Sequence, residues 1–357
     1  MTTARPDGAR PGAMPATADG PLLQVRGLHK DFTSGWMRRR QVVRAVRDVS
    51  FELGAGQAVG LVGESGSGKS TVARLIARLE QPTAGQILLD GQDVIAAEPR
   101  HASRGYRHQV QMIFQDPFSS LNPTHTVGYH LHRALQIHGT AAGLPAAGAI
   151  AGLLADVGLD AVPGIAGRYP HELSGGQRQR AAIARMLAAR PRMIVADEPT
   201  SMLDVSVRVG ILNLLADLRA QRGIGMLLIT HDLASARYST SHTMVMYAGQ
   251  ILESGPSSDL ITDPRHPYTQ LLVRSVPRRG GPAAGPAPAA AGRPGPARPG
   301  THGCPFAARC PSRMAVCDTT MPGPEYPGPG RQVRCHLFGP GAAGPAARPE
   351  EAPLDSP

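Results

Sequence analysis

The run Gly63-Glu64-Ser65-Gly66-Ser67-Gly68-Lys69-Ser70, followed by Thr71, constrains this chain more than any other feature. It satisfies G-x-x-x-x-G-K-[ST] at every fixed position. The apolar stretch Ala58-Val59-Gly60-Leu61-Val62 leads into it, and Val72-Ala73-Arg74-Leu75-Ile76 continues it with helical character. A buried strand that turns through glycines into a helix start is a phosphate cradle. Glycines let backbone N–H groups wrap an anion, and the helix N-terminus adds its positive dipole end. Lys69 can reach β- and γ-phosphates, and the Ser70 hydroxyl can ligate the Mg²⁺ that bridges them. Gly63, Glu64, Ser65, Gly66, Gly68, Lys69, Ser70 and Thr71 are therefore the candidate ATP-binding residues.

Two further apolar runs end in reactive side chains. Met193-Ile194-Val195-Ala196 leads into Asp197-Glu198, and Met226-Leu227-Leu228-Ile229-Thr230 leads into His231. Short, continuously apolar runs of this kind read as parallel strands covered on both faces. Alternation of such strands with amphipathic helices predicts an α/β domain with a mainly parallel sheet, whose ligand lies at the C-terminal strand ends. Asp197 is then a candidate for the Mg²⁺ shell. Glu198 can polarise an attacking water, and His231 can contact the γ-phosphate. From Thr126 to Arg190 the pattern changes to helices joined by Gly- and Pro-containing loops, an inserted helical subdomain.

Length and charge set the outer limits. The chain has 357 residues, and one copy of each nucleotide motif. Its formal net charge is +10, yet Lys30 and Lys69 are its only lysines. Arginine in place of lysine, with abundant Ala, Gly and Pro, reads as biased coding composition; a basic partner surface is the competing reading. No nucleic-acid partner is expected. No stretch approaches the ~18 apolar residues of a spanning helix, and the N-terminal residues lack the apolar run of a signal peptide. A cytoplasmic chain that docks onto membrane-spanning partners is the expectation. Residues 1–20 read as a disordered tail and 21–276 as the nucleotide-binding domain, with its helical subdomain at about 116–190. A Pro/Gly/Ala linker follows at 277–300, then a cysteine-bearing segment at 301–338 and a second disordered tail at 339–357.

Leu173-Ser174-Gly175-Gly176-Gln177-Arg178-Gln179-Arg180 resembles the signature sequence of ABC ATPases. The resemblance extends, in family order, over nearly all of the ordered chain. Gln115 matches the glutamine loop, Asp204 the D-loop and His231 the switch histidine. Phe32 falls where the family places an aromatic that stacks on adenine, with a core role as the alternative. The resemblance implies a P-loop NTPase domain with an antiparallel β subdomain and the inserted helices. It also implies two such domains dimerising head to tail. ATP on one domain would be capped by Ser174, Gly175, Gly176 and Gln177 of the other. Glu198 would be the general base, and Gln115 would join Ser70 and Asp197 around Mg²⁺ while linking nucleotide state to the membrane partner. Two features depart from the pattern: Met202 stands where alanine is usual, and the loop holding Arg38-Arg39-Arg40 is long.

A narrower similarity lies in Phe118-Ser119-Ser120-Leu121-Asn122-Pro123, in His266-Pro267-Tyr268-Thr269-Gln270-Leu271-Leu272, and in the cysteine segment. All three resemble oligopeptide and dipeptide importer ATPases. Such importers combine two transmembrane permease subunits, two ATPases that often differ, and an extracytoplasmic solute-binding protein, with the ATPases on the cytoplasmic face. Some relatives serve oligosaccharides. Cys304, Cys310, Cys317 and Cys335 lie in a segment with little apolar material, which suggests a metal staple. Four thiolates suit an iron–sulfur cluster or Zn²⁺, and some relatives carry a [4Fe–4S] cluster there; free thiols are the third reading. A non-transport ABC ATPase of DNA repair or translation would carry a long coiled coil, a second nucleotide domain or a zinc module within the core. None is visible.

Overall fold

Strands form where the apolar runs were read, and more form around them. The computed structural model describes residues 20–34, 41–116, 120–140, 145–275 and 302–339. The N-terminal tail up to residue 19, the Arg38-Arg39-Arg40 loop, Pro117-Phe118-Ser119, the 277–300 linker and the tail beyond 339 lie outside the described residues. In chain order the strands are β1 Leu23–Ser34, β2 Gln41–Leu53, β3 Ala58–Val62, β4 Ala84–Leu89, β5 Gln92–Asp93 and β6 Val110–Ile113. They continue with β7 Met193–Asp197, β8 Gly225–Thr230, β9 His242–Tyr247, β10 Gln250–Pro256, β11 Glu325–Gly328 and β12 Arg331–Val333.

They make two sheets. An antiparallel sheet runs β2-β1-β4-β5, and a mixed sheet runs β11-β12-β10-β9-β3-β8-β7-β6. Within the second, β6, β7, β8, β3 and β9 are parallel, with β3 between β8 and β9. Every residue of β3, β7 and β8 is buried. Val59, Leu61, Val195, Leu227 and Ile229 enter a core shared with the antiparallel sheet and the helix Lys69–Ile76. Ile194, Ala196, Met226 and Leu228 enter another core with the helices Gly175–Leu187 and Val205–Arg222. The period-2 alternation is present but invisible in sequence, because both faces want apolar residues. Between β6 and β7 the described residues hold helices Val127–His138, Ala146–Asp156 and Gly175–Leu187 and no strand. No helix among the described residues is long and apolar enough to cross a membrane.

The cysteine-bearing segment joins the main sheet. Its β12 pairs antiparallel with β10, Glu253 opposite Val333, and so extends the main sheet. Arg331 donates to Asp263 at 2.9 Å and to Glu253 at 3.3 Å. Burial pushes the Glu253 carboxyl upward, and the Thr269, Arg265 and His266 hydrogen bonds together with Arg331 oppose that shift. A segment with few apolar residues thus gains burial by adding to an existing edge.

His266 caps the helix Pro267–Arg274, its Nδ1 accepting from the Tyr268 N–H at 3.0 Å. Complete burial pulls its pKa down to about 3, whereas an unfolded His titrates near ~6.5. The folded state therefore binds fewer protons, so stability is full above the unfolded value and falls as pH drops through that window. His266→Asn keeps a capping acceptor without a titrating ring. Its melting temperature is expected to fall less between pH 7 and pH 5 than that of the parent, by up to about 1.4 kcal/mol per pH unit in stability. Identical pH slopes for the two proteins would remove His266 as the source.

Candidate active site

The groups named from sequence converge at the C-terminal ends of β3, β6, β7 and β8. Gly68 precedes the helix Lys69–Ile76 with φ 106°, and Gly66 has φ 81°, both in the region that favours glycine. Ser65, Gly66, Gly68, Lys69, Ser70 and Thr71 line a cavity of about 230 Å³ together with Gln115 and Glu198. The Lys69 ammonium is buried and donates to the carbonyl oxygens of Gly63 and Glu64, each at 2.8 Å. Burial lowers its pKa, while Glu198, Asp197 and Glu64 act in the opposite sense. Lysine is thus held beside the loop on weak neutral acceptors, ready to move to a stronger anion.

Across the cavity, the Ser70 hydroxyl donates to Asp197 Oδ1 at 3.1 Å. Burial raises the Asp197 pKa, the Ser70 hydrogen bond lowers it, and Glu198 adds to the rise. A desolvated carboxylate next to a hydroxyl is a donor set that a hard divalent cation satisfies. The residues therefore fit Mg²⁺. Glu198 sits at φ 47°, unusual for a side chain with a Cβ. Its N–H is bonded to the Ile229 carbonyl at 2.9 Å. Its carboxylate accepts from Gln115 Nε2 at 3.1 Å, and His231 Nδ1 lies 3.4 Å away on the other oxygen. An amide and an imidazole from two other strand ends thus meet the Glu198 carboxylate, while His231 and Asp197 do not themselves line the cavity.

The remaining candidates are placed elsewhere. Gly63 and Glu64 do not line the cavity: a Cβ on Gly63 would run into the Met246 carbonyl, and the Glu64 carboxylate is paired with Arg309. Phe32 does not line it either. The residue is 38% exposed, with the Lys30 ammonium 4.8 Å from the ring centroid, although its β2 partner Val43 does line the cavity. Ser174, Gly175, Gly176 and Gln177 form the capped start of the helix Gly175–Leu187, outside this cavity. Ser174 Oγ accepts from the Gln177 N–H at 3.2 Å, and Gln177 returns the bond at 3.1 Å. Gln179 ties this helix to the Pro199 carbonyl at 2.9 Å, just past Glu198. Asp204 is exposed at the start of Val205–Arg222 and makes no side-chain cap. Val43, Arg44 and Ala45 of β2, with Ala248 and Gly249 of the β9–β10 turn, complete the wall. No motif marks them, since they arrive by tertiary packing.

The four cysteines are free thiols, Cys317 and Cys335 buried, Cys304 and Cys310 less so. Burial pushes Cys304 up to about 12, the other three thiols adding to the rise, and Cys335 to about 11, with Cys310, Cys317 and Glu253 adding to it. Among the described residues no three His, Cys, Asp or Glu side chains gather as a metal-holding group. The residues as placed do not fit a cluster.

A phosphate-loop lysine, a hydroxyl–carboxylate pair and a strained glutamate on parallel strand ends define a nucleotide-binding ATPase domain. The chain matches the family described as ABC transporter over residues 46–201, and the oligopeptide/dipeptide transporter C-terminal region over residues 252–317. It is 40% identical over 331 residues to the oligopeptide transport ATP-binding protein AppF of Bacillus subtilis, covering 91% of this chain and 100% of AppF. It is 43% identical over 316 residues to a Brucella ovis protein whose name assigns it ATP binding in peptide import, covering 88% and 97%. Among solved structures, the dimeric ABC transporter cassette MJ0796 aligns with a TM-score of 0.58 at 27% identity, over 66% of this chain and 99% of that one. The chain belongs to the ATP-binding subunits of ABC transporters, and it is an ATPase.

Proposed function

We propose that this subunit powers import of oligopeptides or dipeptides, docked at the cytoplasmic face on two transmembrane permease subunits and working with a second ABC ATPase. The observation that carries the solute class is the match of residues 252–317 to the oligopeptide/dipeptide transporter C-terminal region. The relatives named for peptide import and oligopeptide transport support it. An extracytoplasmic binding protein would deliver the solute. An oligosaccharide in its place would leave every step at this chain unchanged.

In this reading ATP lies along residues 65–71, with Lys69 transferred from the loop carbonyls to the β- and γ-phosphates. Ser70, Asp197 and Gln115 would hold Mg²⁺, which supplies charge neutralisation between the phosphates. Glu198 acts as general base on the attacking water, and His231 orients the γ-phosphate side. Ser174, Gly175, Gly176 and Gln177 of the second ATPase cap the same nucleotide, aiming a helix N-terminus at it. Their place outside the cavity of their own chain agrees with that. Met202, exposed beside Asp204, would be covered on closure. Closing on ATP and opening after hydrolysis moves the permease.

The test is a tagged Glu198→Gln chain trapped with ATP in the native cell. Copurification of two multi-spanning proteins and a second ABC ATPase supports the importer, and the associated binding protein is then screened against peptides and oligosaccharides. Recovery of ribosomes or repair proteins without membrane subunits sinks it. A [4Fe–4S] cluster or Zn²⁺ on Cys304, Cys310, Cys317 and Cys335 is supported by thiol number alone. Metal analysis after anaerobic purification decides it: iron at about four per chain, or one zinc, would mean that the thiols regroup around a metal, and neither metal would retire the idea.

A further inference from the structure

The phosphate-binding loop is gripped from outside the nucleotide motifs. Arg309, in the cysteine-bearing segment, lays its guanidinium fork on the Glu64 carboxylate, Nη1 to Oε2 at 2.8 Å and Nη2 to Oε1 at 3.0 Å. The N–H of the same residue donates to the Tyr268 hydroxyl at 2.9 Å. Residue 64 is thus held at side chain and backbone by two elements that follow the whole catalytic sequence. Both grips are stiff. Tyr268 and Phe306 are fully buried, with ring centroids 5.3 Å apart, and Tyr247 packs edge-on at 4.7 Å from Tyr268 and 5.4 Å from Phe306. The Arg309 guanidinium lies 5.7 Å from the Phe306 centroid and 5.8 Å from that of Tyr247.

The grip reaches Lys69 through one peptide group. The N–H that Tyr268 holds and the Gly63 carbonyl that accepts from Lys69 belong to the same peptide bond, and a planar trans peptide points the two in opposite directions. The next carbonyl, that of Glu64, also accepts from Lys69. We infer that Arg309, with Tyr268, is a positioning residue of the ATPase: it fixes the two carbonyls on which Lys69 waits, and through them the place from which the ammonium meets the phosphates. Arg309 touches none of the reacting atoms. Its loss leaves the loop to be ordered by ATP itself, so the effect falls on nucleotide affinity and spares the chemical step.

The test uses the full chain as Arg309→Gln, Glu64→Gln and the double variant. A fluorescent ATP analogue gives Kd, and phosphate release gives KM and kcat. Each single change is expected to raise Kd and KM about fivefold, the scale of a partly buried bidentate pair, with kcat within about twofold. The double variant is expected to be no weaker than either single one, because both remove the same contact. Arg309→Lys should recover part of the affinity. Tyr268→Phe removes the acceptor while keeping the ring in its cluster, and should also raise Kd. An unchanged Kd in Arg309→Gln or in Tyr268→Phe overturns the inference. So does a multiplicative loss in the double variant, or a fall in kcat at constant KM.

Discussion

Glu198→Gln is expected to bind ATP as the parent does and to lose about 10²- to 10⁴-fold in turnover, the contribution of a positioned general base. The geometry makes the substitution clean. Glu198 is held at φ 47° by its N–H bond to Ile229, a backbone constraint that glutamine inherits. The carboxylate accepts from Gln115 on one oxygen and faces His231 Nδ1 with the other. A glutamine amide offers its oxygen to Gln115 and its NH₂ to an unprotonated Nδ1, so the contacts survive while the basicity disappears. Lys69, Ser70 and Asp197 are untouched, which is why binding should persist. Phosphate release read beside the affinity for a fluorescent ATP analogue checks both halves. Turnover within about threefold of the parent would exclude Glu198 as the base.

Gly68→Ala is expected to weaken ATP binding on the order of 10²-fold and to abolish measurable hydrolysis. Two costs coincide at this position. Its φ of 106° lies where a Cβ is disfavoured, and that Cβ would be driven into the Ala45 carbonyl oxygen and the Met246 side chain. The Met246 methyl can swing aside, but the Ala45 carbonyl is backbone and cannot yield cheaply. The Gly249 N–H donates to Ser67 at 2.8 Å, and the Arg47 N–H donates to Gly249 at 2.8 Å, so β2, the β9–β10 turn and the loop are bonded to one another. Gly66→Ala is the matched control: its φ is 81°, but no atom stands within 4 Å of the added carbon. It should carry the backbone strain alone and lose less. Equal losses at the two positions would mean that close packing against β2 does not set the loop.

The motifs were legible because phosphate binding is solved locally. In the proposed role Gly66, Gly68, Lys69 and Ser70 act through backbone shape and neighbours within one turn, and their order in sequence is their order in space. Asp197, Glu198, Gln115 and His231 could be named as candidates for a related reason. Each ends or follows a short apolar strand, and parallel strands bring their C-terminal ends to one edge whatever separates them in the chain. The pairing of Glu64 was not legible in this way. Motif position names it as a candidate beside the phosphates, and the structure pairs its carboxylate with Arg309; no local pattern announces a pair between residues so distant. The setting of Phe32 likewise depended on a distant partner, Val43, which it meets across β1 and β2.

The sequence by itself determined the nucleotide chemistry, the α/β class and the insertion of helices between β6 and β7, because each follows from residue type at short spacing. Only the tertiary structure decided which face of each buried strand meets which core, how Val43 to Ala45 and Gly249 complete the cavity, and that the cysteine-bearing segment is an edge of the main sheet with a hand on the phosphate loop. Those outcomes rest on contacts between residues far apart in the chain. Apolar and charged side chains of one kind are interchangeable in pattern until the sheet order has chosen their partners.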